Sequence, residues 1–93
     1  MQYLRYYKSR EELNLDLTSE QIRAARALLR WEQRQLAEAS GVSLPSVKRL
    51  EGQPGALRAQ PLTLAALRTA LETAGVIFVP SNGDGPGVRL RKS

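Results

Sequence analysis

Cysteine and histidine are both absent from this 93-residue chain. Their absence removes disulfides, thiol chemistry, imidazole general bases and the usual zinc ligands together. With those types missing and the carboxylates spread mostly over helix surfaces, no nucleophile–base pair can be proposed, so an enzyme is not expected. Neither a metal nor a cofactor is expected either. No apolar run comes near the roughly eighteen residues of a membrane span, and no secretory apolar segment is present. The chain therefore reads as soluble and cytoplasmic, without a membrane partner. It is long enough for one small domain with a modest core, which burial against a second subunit would strengthen.

Acidic charge is also in short supply. Fourteen Lys and Arg face nine Asp and Glu, for a net charge of +5. The first eighteen residues are balanced, and the excess lies on 19–75 and on 76–93. Eleven of the cations are arginine, the side chain best suited to phosphate and guanine recognition. A polyanionic partner is thus favoured, though basic balance alone is a weak indicator.

The most informative stretch is QRQLAEASGVSLPSVKRLEG, from Gln33 to Gly52. Leu36, Ala37 and Ala39 give a first short helix an apolar face. Gly41 breaks the pattern where a left-handed residue is needed, which glycine supplies without steric cost. Ser43 is a good N-cap for a second helix. In that helix Val47 and Leu50 share one face while Ser46, Lys48 and Arg49 point elsewhere. Small Ala37 lets the two helices cross closely. This spacing is that of a DNA-binding helix-turn-helix, whose second helix enters the major groove.

Around it, Thr18 or Ser19 caps an earlier helix with Glu20 in its first turn. Ile22, Ala25 and Leu29, with Leu28 beside them, form its apolar stripe. Arg23, Arg26 and Arg30 fall on other faces, as a solvated surface or a phosphate-facing strip. Trp31 is expected to seal the corner between the first two helices as core. After a Pro- and Gly-rich loop (53–61) a fourth helix starts near Pro61 or Thr63. Leu64, Leu67 and Leu71 are its buried stripe, Ala66, Ala70 and Ala74 keep it slim, and Gly75 caps it.

The period then changes. Val76, Ile77, Phe78 and Val79 read as a strand, Ser81 to Gly87 as turn chemistry and Val88 to Arg91 as a second strand. An isolated hairpin of this size is marginal in water and leaves an apolar edge exposed. Val76–Val79 are therefore the expected dimerisation element, unless the N-terminal segment adds a strand. That segment holds Tyr3, Tyr6 and Tyr7, with strand propensity over Gln2 to Tyr7 and a capping box from Ser9 to Glu12. It is either an arm reaching across a dimer or to DNA, or a packing segment or loose terminus. The glycines at 83, 85 and 87 open no helix and precede no Gly-Lys-Ser/Thr, so they are not a phosphate loop. The expected fold is mainly α: four to five helices with a C-terminal β-hairpin, an N-terminal strand optionally joining it. The segments are 1–17 (arm), 18–75 (helix-turn-helix domain) and 76–93 (hairpin and basic tail).

LAEASGVSLPSVKRLEG, preceded by TSEQIRAARALLRW, resembles the phage-repressor-like helix-turn-helix family, the Cro and xenobiotic-response-element type. The likeness covers Leu17 to Gly75, and GVIFVPSNGDGPGVRLRK resembles a tail on small bacterial regulators of that family. The resemblance implies a sequence-specific regulator of transcription, a repressor acting as a homodimer on double-stranded DNA. It implies base contacts from Leu44, Pro45, Lys48 and Arg49, with Ser43 and Ser46 near phosphates. Gln33 would fix the start of its helix to a phosphate, with Arg34 beside it, and Arg58 would run along the backbone. Leu44 and Pro45 depart from the polar residues usual in the family. They can pack on thymine methyls but cannot form bidentate hydrogen bonds, which leaves Arg49 and then Lys48 to read guanine. The rival expectation is a protein-interaction module, antitoxin-like or anti-activator-like, whose Leu44–Pro45 face grips a protein partner.

Overall fold

The computed structural model describes residues 16–81 and 83–92. Residues 1–15 of the N-terminal arm, with the expected strand at Gln2–Tyr7 and the capping box at Ser9, lie outside the described residues. Four helices and one antiparallel hairpin follow in order: α1 Ser19–Leu29, α2 Gln33–Ser40, α3 Leu44–Glu51, α4 Pro61–Thr73, β1 Val76–Val79 and β2 Gly87–Leu90. The fold is the mainly α arrangement with a C-terminal hairpin that the sequence pattern predicts. No described helix is long and apolar enough to cross a membrane.

Thr18 is the N-cap of α1. Its hydroxyl accepts from the Gln21 N–H at 3.0 Å, and the Gln21 Oε1 accepts from the Thr18 N–H at 3.1 Å. This reciprocal box satisfies two helix-end donors. The same Gln21 donates from Nε2 to the Gly87 carbonyl at 3.1 Å, so the cap also ties α1 to the start of β2. Ile22 and Ala25 are buried as the stripe predicts, Leu29 is half-buried, and Leu28 is turned to solvent. Arg30 ends α1 in the left-handed region, at φ 58°, the only described non-glycine with positive φ.

The core draws on every element. Leu17, Ile22, Leu36, Val47, Leu50, Leu67, Leu71 and Val76 are almost fully buried, and Trp31 and Ala37 pack against them. Ala39, expected on the apolar face of α2, is exposed instead. The stripe on α4 holds at Leu64, Leu67 and Leu71, with Ala65 buried beside it. Leu17, assigned to the arm by sequence, belongs to this core. Its carbonyl accepts from the Leu57 N–H at 2.9 Å, and Ser19 N–H donates to the Gly55 carbonyl at 2.9 Å. The chain leaving α3 is thereby clasped to the chain entering α1.

The hairpin pairs Val76 with Leu90, Ile77 with Arg89, Phe78 with Val88 and Val79 with Gly87. Side chains alternate across such a sheet. Val76 and Phe78 face inward and are buried in the protomer's own core, while Ile77 and Val79 are half-buried. This corrects the expectation that all four apolar residues serve a second subunit. It also shows what a helical domain gains from a hairpin, which is a lid over α1 and α4. Arg68 of α4 stacks over the Phe78 ring at 5.0 Å from its centroid.

Candidate functional site

Helix α3 stands on a short left-handed turn. Gly41 takes φ 77°, and its N–H closes α2 on the Ala37 carbonyl at 2.9 Å. Val42 N–H then donates to the Ser40 hydroxyl at 3.1 Å. Ser43 caps α3, accepting from the Ser46 N–H at 3.3 Å, and its hydroxyl also bonds the Ser46 hydroxyl at 2.9 Å. Pro45 fits in the first turn because the N–H it lacks would have no intrahelical partner there. Val47 and Leu50 anchor the inner face of the helix at 1% exposure each.

The buried end of α3 is fixed by charge. Glu51 takes a two-pronged bond from Arg26 of α1, Nε to Oε2 and Nη2 to Oε1, each 2.6 Å. The third guanidinium nitrogen, Nη1, donates to the Trp31 carbonyl at 2.9 Å. Gln33 at the start of α2 adds a bond from Nε2 to Glu51 Oε1 at 3.0 Å. The Glu51 side chain is only 4% exposed and that of Arg26 19%. A charge-assisted fork of this kind sets distance and orientation together, and it joins α1, α2 and α3 at one point. Arg26 is therefore no part of a solvated strip. Sequence reasoning missed this pair because 25 residues separate its members and no periodic pattern links them.

The other predicted residues fall into two groups. Pro45, Lys48, Arg49, Arg34, Arg58 and Ser43 are exposed, whereas Leu44, Ser46 and Gln33 are half-buried. Lys48 borders a cleft of about 390 Å³ together with Leu44, Gln33, Arg34 and the carboxylate-bearing Glu32. Arg49 borders a second cleft of about 700 Å³ on the other side of the helix, with Ser43, Ser46, Gln60 and Thr63. Thus α3 projects between two depressions, each with a cation on its wall. The ion pairs among the described residues are Arg23–Glu20, Arg26–Glu51 and Arg68–Glu72. None of them engages Arg34, Lys48, Arg49 or Arg58, although Glu32 lines the same cleft as Arg34 and Lys48.

No family model and no curated protein matches this chain.

Gln33 differs most from its expected role. One of its two amide N–H groups is committed to Glu51, which leaves the second N–H, the carbonyl oxygen and the helix-start N–H groups for an outward contact. The Glu20 carboxyl departs from its ordinary pKa. Hydrogen bonds from its own backbone N–H, then from the Gly55 N–H, hold it below the usual carboxylate range. That bond belongs to the clasp between α1 and the loop after α3. No group of three or more metal-ligating side chains converges among the described residues.

Proposed function

We propose that this chain is a sequence-specific double-stranded DNA-binding regulator of transcription that inserts α3 into the major groove and represses by occupying its site. The observation that carries the reading is the pair Lys48 and Arg49. Both are exposed, neither makes an ion pair among the described residues, and they stand on a helix held by a turn and a buried ion pair. An eight-residue helix is roughly 12 Å long and about 10–12 Å across with side chains, which suits a major groove about 12 Å wide. Arg49 is the candidate for guanine O6 and N7, and Lys48 follows. Leu44 and Pro45 offer apolar contact to thymine methyls. Arg34 and Arg58, both exposed, are the phosphate contacts of this reading, with Ser43, Ser46 and the N–H groups at the start of α2. One such helix discriminates weakly, so two copies on half-sites about one helical turn apart are part of the reading. The protein works in the cytoplasm, and its action needs no cofactor.

The test is a titration into labelled DNA from its own upstream region, followed by fluorescence anisotropy at two salt concentrations beside unrelated DNA. Promoter-selective binding that falls by about tenfold or more in Arg49→Ala supports the reading, since a bidentate arginine–guanine contact is worth roughly 1–3 kcal/mol. Equal, salt-sensitive binding to both DNAs, followed by no selected site from random sequence, removes it. Stoichiometric co-purification of another protein would then favour a protein-binding role for the Leu44–Pro45 face.

A further inference from the structure

The hairpin has two edges, and they are not equivalent. Gly75 and Arg91 stand opposite each other one step beyond the paired strands, and Arg91 N–H donates to the Gly75 carbonyl at 2.7 Å. In an antiparallel ladder hydrogen-bonded pairs alternate with non-bonded ones. Ile77 and Val79 therefore direct their N–H and C=O groups toward β2, and Val76 and Phe78 direct theirs outward. The outer edge of β1 is thus a short row of backbone donors and acceptors with no strand beside it among the described residues.

The solvent face of the sheet is divided lengthwise. Ile77 and Val79 form an apolar row on β1, while Arg89 lies across from Ile77 on β2 and Arg91 lies across from Gly75. Joining two copies through β2 would set these arginines on neighbouring strands about 4.8 Å apart, where like charges oppose pairing. Joining them through β1 puts the apolar rows together. The arginine rows then fall roughly 14 Å apart, beyond the screening length of physiological salt.

We infer that β1 is the seam between two copies of this chain, paired antiparallel across a two-fold axis with Ile77 opposite Ile77 of the second copy. In this register Val76 of each copy faces Phe78 of the other, and every outward N–H and C=O of the two residues is used. Ile77 occupies the non-hydrogen-bonded position at the centre, where opposed side chains approach most closely. Val76 and Phe78 contribute only backbone, since their side chains already fill their own cores. This inference rests on the paired-copy element of the DNA reading, but its test contains no DNA. A failed seam leaves the contacts of α3 standing, and failed DNA binding leaves the seam standing.

The chain has no cysteine, so a single introduced thiol reports one position cleanly. The full-length protein is sized by light scattering, and Ile77→Cys, Val79→Cys and Arg89→Cys are each oxidised and resolved without reductant. A dimeric parent with rapid cross-linking only in Ile77→Cys is expected. A disulfide needs Cα atoms about 4.4–6.8 Å apart, whereas this register holds the two Val79 residues roughly 13 Å apart along the strands. Ile77→Lys, folded by circular dichroism, should weaken self-association about tenfold or more, while Arg89→Glu should leave it unchanged. If the lysine variant does not fold, Ile77→Thr and the thiol series decide. A monomeric parent, cross-linking through Arg89→Cys as fast as through Ile77→Cys, or a dimer undisturbed in folded Ile77→Lys overturns the seam.

Discussion

Helix α3 has two faces with opposite treatments of charge. On the inner face a single carboxylate, Glu51, is nearly sealed from water and bonded by Arg26 and Gln33. On the outer face two adjacent cations, Lys48 and Arg49, make no ion pair among the described residues. The inner charge is matched inside the molecule, and its effect is to hold geometry. The outer charges form no ion pair among the described residues, which leaves them open to water, ions or an external anion. Position along the chain says little about such a division, because Lys48, Arg49 and Glu51 lie within one turn of each other.

The sharpest way to break this contrast is to remove the inner partner. Glu51→Ala strands a largely buried guanidinium and should cost about 3 kcal/mol of stability, a fall in Tm of roughly 12 °C or more for a domain this size. Arg49→Ala, one helical side away, should move the same melting curve by less than about 0.5 kcal/mol. Equal melting temperatures for the two variants would show that the ion pair does not hold α3. A smaller effect of opposite sign is expected at Arg30, whose left-handed backbone disfavours a side chain with a β-carbon. Arg30→Gly should raise stability by roughly 0.5–1 kcal/mol in denaturant titration, and a loss would mean that the arginine side chain holds something in place.

The smallest effect lies at Glu20. Its folded pKa is depressed by backbone N–H groups, so the carboxylate stabilises the fold above the ordinary carboxylate pKa. That contribution fades as pH falls through the depressed value. Parent and Glu20→Gln should therefore differ near neutral pH and converge in acid, read from melts across the pH series. A gap that stays constant with pH would assign the difference to packing instead.

Where a few neighbouring residues decide an element, the sequence was legible. The cap at Thr18, the left-handed Gly41, the Ser43 cap and the stripes on α1 and α4 are all local physics, and the four helices and hairpin follow from them. The hairpin's orientation was not legible, because four apolar residues in succession do not reveal which alternate pair faces a core. The Arg26–Glu51–Gln33 junction was hidden for a different reason. Its members are ordinary surface types, and their meeting depends on how three helices cross. Of the candidate site, sequence placed Lys48 and Arg49 on one projecting helix but did not foresee the bond from Gln33 to Glu51.

The clasp between Leu17 and Leu57 has a consequence for the order in which the molecule assembles. These residues are 40 positions apart in the chain. Closing a loop of that length costs roughly 3 kcal/mol of chain entropy. The two backbone hydrogen bonds of the clasp return about 0.5–1.5 kcal/mol each, which does not cover the closure alone. Burying Leu17 and Leu57, at roughly 1.5–3 kcal/mol each, does. The clasp therefore closes late, once α1 and α3 have made a surface for the two leucines. Amide hydrogens of Ser19 and Leu57 should then exchange by local opening well before those at the centre of α1.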